Sequence, residues 1–330
     1  MQKAGDHRKS KTLPGFRIGH ASDFRGLTGC TVVLCESGAV CGVDIRGSAA
    51  GTRELAPCLP GHLVERVHAI FLTGGSAFGL DAAAGVMHYL ESRGVGFPAG
   101  HSRVPIVPGA VIFDLNVGSA KARPHPGMAK RACRNARVEV TEGSVGAGTG
   151  ATVGKLFGVE QATKGGVGFK SLAIAGGIVV QALAVLNAFG DVLDPASGKV
   201  LAGARGAPDS SEFVGTAEQM FKGQSRKTFG ATNTTLVVVM TNAALTKLQA
   251  TKVAEMAHDG LARAIRPVHT QFDGDLVFAL SLGQKRADLN TVGTAAAEVT
   301  AGAIVRAVVT AKGLGGVPAA REFQQVASSQ

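Results

Sequence analysis

The residues whose type and spacing suggest chemistry lie late in this 330-residue chain. The run GATNTTLVVVMTNAAL, residues 230–245, sets Asn233, Thr234 and Thr235 at the mouth of an apolar stretch that reads as a strand. A threonine hydroxyl is a weak nucleophile until a base takes its proton. Cleavage between Asn233 and Thr234, by an N-to-O acyl shift from the Thr234 hydroxyl, would supply that base as a new terminal amine of pKa roughly 7.7–8.0. The same run has a plainer reading, since threonine is a good strand former. Further along, HTQFDGDLVF places Asp273 and Asp275 on either side of Gly274. In extended chain such residues share a face, so both carboxylates can serve one site, although Asp-Gly-Asp is also good turn chemistry. His258 and His269 precede that pair and offer either a base or a structural hydrogen bond.

Other candidates fit their motifs poorly. TGGSAFG follows a strand and opens a helix, but Phe78 stands where a nucleophile elbow needs its second glycine. Leu80 stands where a phosphate loop needs lysine, so tight strand-to-helix packing explains these glycines better. Cys30, Cys35, Cys41, Cys58 and Cys133 are odd in number and lack a C-x-x-C pair, which reads as reduced, mostly buried thiols in a cytoplasmic protein. The spacing of Cys30, Cys35 and Cys41 places them along two adjacent strands without a closing metal knuckle. The net charge of +10 is scattered, and with one Tyr and no Trp for base stacking it reads as basic surface, with no nucleic-acid partner expected. No apolar run reaches the roughly 18–20 residues of a membrane span, and the basic start lacks the apolar segment of a secretory signal.

The elements that must position these residues follow from periodicity. A composition 45% hydrophobic supports a substantial core. CTVVLCESGAVCGVDIRG reads as a hairpin turning at Glu36, Ser37 and Gly38. HAIFLTGGSAFGLDAAAGVMHYLESRG reads as strand, turn and helix, with Leu80, Ala84, Met87 and Leu90 at helical spacing. A strand ends near Asn187, before the turn Asp-Pro-Ala-Ser-Gly. Residues 203–230 lack an apolar period and read as an exposed, disordered connector. Then come a strand (Thr234 to Met240), a helix (about 245–265, apolar at Leu248, Val253, Met256, Ala257 and Leu261), a strand (Leu276 to Leu282) and an Ala-rich helix (about 289–311). This order predicts a mixed α/β layered architecture without repeats.

Taken in order, FRIGHAS, SAAGTRE, FLTGGSAFGLDAAAGVM, VPIVPGAVIFDL, GAGTGATVGK, KGGVGF, VLNAFGDV, NTTLVVVMTNAALTK and MAHDGLARAIRPVHTQFDGDLVFAL resemble the L-aminopeptidase/D-esterase family of self-processing hydrolases. That family includes β-aminopeptidases and the 6-aminohexanoate-oligomer hydrolase. The resemblance implies a single four-layer αββα sandwich, layered like the N-terminal-nucleophile hydrolases but with a different topology. It implies self-cleavage into residues 1–233 and 234–330, with no cofactor and no metal. Thr234 falls on the nucleophile, Asn187 on the oxyanion donor, and Asp273 and Asp275 on the pair that holds the nucleophile's amine. The family's active-site lysine falls on either Lys155 or Lys164. Phe113 stands where the aminopeptidases carry tyrosine, which leans toward the threonine branch of the family. The implied partners are a small amide or peptide substrate, the cleaved fragment and copies of the same chain, as a homotetramer. An acyltransferase of the ornithine-acetyltransferase type, and an uncleaved binding relative, are the rival readings.

Overall fold

The computed structural model describes residues 10–224 and 233–327. These form a nine-stranded mixed sheet. Its eight strands longer than two residues are β1 (Arg17–Asp23), β2 (Thr28–Ile45), β3 (Val67–Thr73), β4 (Gly109–Val111), β5 (Gly166–Ile174), β6 (Ile178–Asn187), β7 (Thr234–Ala243) and β8 (Leu276–Lys285). The order is β5-β6-β7-β8-β2-β3-β4, with Thr52–Arg53 on the β4 edge and β1 paired to β2. Four helices cover it: α1 (Ala83–Glu91), α2 (Pro126–Arg134), α3 (Lys247–Ala264) and α4 (Leu289–Val309).

β2 is the element that folds this path into layers. The sequence reads as a hairpin here, but the structure keeps one 18-residue strand. Its first half pairs with β3 and its second with β8, with the register shifting between Leu34 and Ala39. Gly38, at φ +81°, serves this irregularity as readily as it would serve a turn. The two apolar halves find different partners because each has a further strand to cover. Cys30, Cys35 and Cys41 accordingly lie on this single strand, and all five cysteines are free and buried.

Strand alternation then yields three cores and four layers. Leu236, Val238 and Met240 of β7, with Leu276, Phe278 and Leu280 of β8, face Ile70 and Leu72 of β3 between the two halves of the sheet. Val237, Val239, Val277 and Ala279 point the other way, onto α3 and α4. Ala69 and Phe71 of β3, with Val32 and Leu34 of β2, pack on α1 and α2. The result is the expected αββα sandwich. Thr246 opens α3 through a reciprocal capping box with Gln249.

Three details of the pattern differ. Leu248 is 69% exposed, because α3 turns Ala250, Val253, Ala257 and Leu261 inward instead. Ser76–Ala82, starting inside TGGSAFG, is 3-10 helix, so α1 buries Ala83, Val86 and Leu90, and the stripe begun at Leu80 is shifted. α4, by length and composition, is able to cross a membrane, contrary to the reading that no run is long enough; 67% of its apolar window is buried, as in a core helix.

Residues 203–224 are not a disordered connector. The buried Arg205 guanidinium donates to the carbonyls of Glu160 (2.6 Å), Ala162 (3.3 Å), Ser210 (3.3 Å) and Pro208. Asp191 accepts from Thr216 Oγ1 (2.7 Å) and Ala204 N (2.8 Å), which ties the segment to the strand Asp191–Leu193. Hydrogen bonds, not apolar periodicity, hold it. Residues 225–230 of the same stretch lie outside the described residues.

Candidate active site

Antiparallel pairing of β6 with β7 sets Asn187, the last residue of one strand, directly opposite Thr234, the first residue of the other. Asn233 bridges to Asp273, just ahead of β8. Thus three strand ends converge, and Asn187, Asn233, Thr234, Asp273 and Asp275 are all buried there.

Thr234 Oγ1 lies 2.5 Å from the carbonyl oxygen of Asn233, the peptide that precedes it. That oxygen also accepts the Gly274 N–H at 2.7 Å. A hydroxyl hydrogen-bonded to the preceding carbonyl oxygen, with a backbone donor on that same oxygen, sets the two groups that an acyl shift would join side by side. Gly274 is required by a close approach. A Cβ there would stand 2.8 Å from the Ala49 carbonyl, because residues 46–49 lie along the Asp-Gly-Asp backbone and donate to it from Arg46 N (3.0 Å to Asp275 O) and Ala49 N (2.9 Å to Asp273 O).

The two carboxylates divide the work. Asp275 Oδ1 accepts the N–H of Thr235 at 2.7 Å, and Oδ2 faces His269 Nδ1 at 2.8 Å. Asp273 accepts from Phe189 N (3.1 Å), Thr270 N (3.0 Å) and Thr270 Oγ1 (2.6 Å). Burial, and then the charge of Asp275, raise Asp273 to about 6. His258 lies behind His269, ring edge to face at 4.8 Å, and burial lowers it to about 4, so it is neutral at pH 7.

The two lysines separate. Lys155 Nζ donates to Asn187 Oδ1 at 2.7 Å and to the Asn187 carbonyl at 2.9 Å. Lys164 instead donates to the carbonyls of Ala151 (2.6 Å) and Gly148 (3.3 Å), one short strand away from Asn187. Burial lowers it to about 7, against the pull of the Asp114 charge. Asn187 Oδ1 takes a second donor, Thr152 N, at 3.0 Å, so its Nδ2 end is the one left facing donor duty. One Nδ2–H goes to the Phe113 carbonyl at 3.1 Å. Phe113 therefore contributes its backbone, and its side chain carries no hydroxyl.

Of the residues named from the sequence, the structure brings together Thr234, Asn233, Asn187, Lys155, Asp273 and Asp275, while Lys164 bonds the Ala151 and Gly148 carbonyls beside Thr152. Gly274 N–H, Thr152 N–H and Thr270 were not singled out. A glycine held between two carboxylates was the available signal for the first; backbone donors leave none for the second.

A family model for peptidase family S58 matches residues 12–321 of this chain. A protein of Mycobacterium tuberculosis (strain ATCC 25618 / H37Rv), named as an uncharacterized aminopeptidase, is 41% identical over 94% of this chain and 96% of its own length. A 6-aminohexanoate-oligomer endohydrolase of Kocuria sp. (strain KY2) is 32% identical over 82% of this chain and 73% of its own. The L-aminopeptidase D-Ala-esterase/amidase from Ochrobactrum anthropi, described as a variant of the Ntn hydrolase fold, superposes with a TM-score of 0.71 at 16% identity, covering 96% of this chain and 91% of its own.

Proposed function

Because the chain belongs to peptidase family S58, we propose that this hydrolase of amide bonds is made active by cutting itself between Asn233 and Thr234, and that it then hydrolyses small peptides or ω-amino-acid oligomers through an acyl-enzyme on Thr234. The observation that carries the reading is the 2.5 Å approach of Thr234 Oγ1 to the Asn233 carbonyl oxygen, which the Gly274 N–H also holds.

In the cut itself, Thr234 Oγ attacks the Asn233 carbonyl carbon while Gly274 N–H stabilises the charge that grows on the oxygen. The carbon–nitrogen bond breaks, the hydroxyl proton ends on the Thr234 nitrogen, and an ester joins Asn233 to Thr234 Oγ. Water cleaves that ester, leaving an Asn233 carboxylate and a free Thr234 amine. Residues 1–233 and 234–330 are the two products.

In turnover, the Thr234 amine takes the proton from its own Oγ as the oxygen attacks a substrate carbonyl. The second N–H of the Asn187 amide meets the oxyanion. Lys155 and Thr152 N, both on Asn187 Oδ1, keep that amide from flipping. The amine then passes its proton to the departing amine, and water releases the acyl group from Thr234. Asp275, through Thr235 N, and Asp273, through Phe189 N and Thr270, hold the strand end in place. No step needs a cofactor. The relatives named above support amide substrates of both the aminopeptidase and the oligomer type.

Intact mass of the purified protein beside Thr234→Ala, with N-terminal sequencing of any small fragment, tests the reading. The wild type should separate into two pieces, the smaller starting at Thr234, and the variant should stay at 33.5 kDa. A variant that is still cut and still active would end the assignment of Thr234.

A further inference from the structure

His269 lies outside the reacting groups, yet three observations converge on it. Its backbone is left-handed, at φ +54°, an uncommon state for a residue with a Cβ, though histidine adopts it more often than most. Its own N–H (3.3 Å) and its ring Nδ1 (2.8 Å) both face the same atom, Oδ2 of Asp275. A carboxylate only accepts, so Nδ1 carries the proton. Behind it the ring meets His258 at 4.8 Å and 71°, and His258 is anchored in turn by Nε2 to the Asp44 carbonyl at 3.2 Å.

The turn therefore wraps one residue around one oxygen, and this leaves the other oxygen, Oδ1, aimed at Thr235 N (2.7 Å). Thr235 is the next residue after Thr234. Without the ring, Oδ2 keeps only the longer bond from the backbone N–H of residue 269, so Asp275 is held less tightly and the Thr235 N–H has a less fixed partner.

We propose that His269 is a positioning residue: by holding Asp275 Oδ2 it fixes the carboxylate that holds Thr235 N, and so sets where the Thr234 hydroxyl and amine lie. The proposal rests on the reading of Thr234 as nucleophile. It gives the imidazole a task in orientation, distinct from proton transfer to substrate.

The test compares wild type with His269→Asn and His269→Gly. Asparagine and glycine both tolerate the left-handed backbone, so neither variant is forced out of the turn. Asparagine brings a short amide that can donate to Asp275 Oδ2; glycine leaves only the backbone N–H at 3.3 Å. The half-time of precursor loss, kcat, KM and Tm are measured on all three. His269→Asn should keep kcat and the cleavage half-time within about threefold of wild type, whereas His269→Gly should lower kcat by about tenfold or more, the loss of one charge-assisted hydrogen bond, at unchanged KM, with kinetics read well below the lowest of the three Tm values. Wild-type behaviour of His269→Gly overturns the proposal, as does His269→Asn failing as badly as His269→Gly. A wild-type chain that stays whole and inert sinks the nucleophile reading itself, whatever the variants do.

Discussion

Replacing Asp273 with asparagine isolates the charge of one buried carboxyl, and its signature is a slope against pH. Both the parent and the Asp273→Asn protein carry Thr234→Ala, so that one uncut chain unfolds in urea and a single free energy is defined. Burial and the Asp275 charge raise Asp273 from 3.8 to about 6. At about 1.36 kcal/mol per unit, that rise of about two units amounts to about 3 kcal/mol. Between about pH 4 and 6 the folded chain keeps a proton that the unfolded chain has released, so this group makes the parent less stable as pH rises through the window. His258 acts in the opposite sense. Its imidazole is lowered from 6.5 to about 4, so the folded chain carries fewer protons there and stability rises with pH. His20, also lowered to about 4 by burial, adds to that second trend. The parent's own profile therefore mixes opposing slopes, and only the difference between the two proteins reports Asp273. Asparagine keeps one acceptor oxygen and turns an NH₂ toward one set of donors, a cost that does not vary with pH. Urea midpoints at five pH values from 4 to 7 should show the variant gaining on the parent by about 3 kcal/mol across the range. A difference that stays flat refutes the reasoning, because the carboxyl would then titrate as it does in the unfolded chain.

Two further outcomes follow from the geometry around Asn187. Asn187→Ala removes the amide assigned to the oxyanion and should lower kcat by roughly 10²–10³-fold, about 2.7–4 kcal/mol, with KM little changed; steady-state kinetics on any amide turned over by wild type checks this. Lys155→Met takes the ammonium from Asn187 Oδ1 and should lower kcat by about tenfold or more, a charge-assisted bond of about 1.5–3 kcal/mol, whereas Lys164→Met should keep kcat within about threefold and show its effect in Tm.

How much of this was legible in the sequence depends on how far each residue reaches. Thr234, Asp273 and Asp275 sit at strand entrances, and strand entrances are set by local apolar runs. The facing of Asn187 and Thr234 is a matter of long-range register, which no local pattern encodes, so it came with the family resemblance. The choice between Lys155 and Lys164 stayed open in the sequence for a similar reason, since what each of two nearby lysines bonds is set only when the short strands 152–153 and 163–164 pair. β2 was misread because a Glu-Ser-Gly turn signal suits a bulge as well as a hairpin. Residues 203–224 were misread because their order comes from Arg205 and Asp191, single polar residues that bond at a distance. His269 was visible as a histidine, but its left-handed backbone was not.

The place of β7 bears on the order of events during synthesis. It is an interior strand, hydrogen-bonded on one side to β6 and on the other to β8. A separate chain that began at Thr234 as a free amine would have to insert the β7–β8 pair afterwards between β6 and β2, with its reactive end exposed on the way. Continuity with residue 233 removes that difficulty, because the tether delivers β7 to its slot while the amine is still capped as an amide. The leash would be severed only in the folded state, where the Asn233 carbonyl meets the Thr234 hydroxyl and Gly274 N–H. If the chain cuts itself as proposed, the uncut form would be an assembly jig and the cut would double as an inspection: a chain that had not reached its native register could not arm itself.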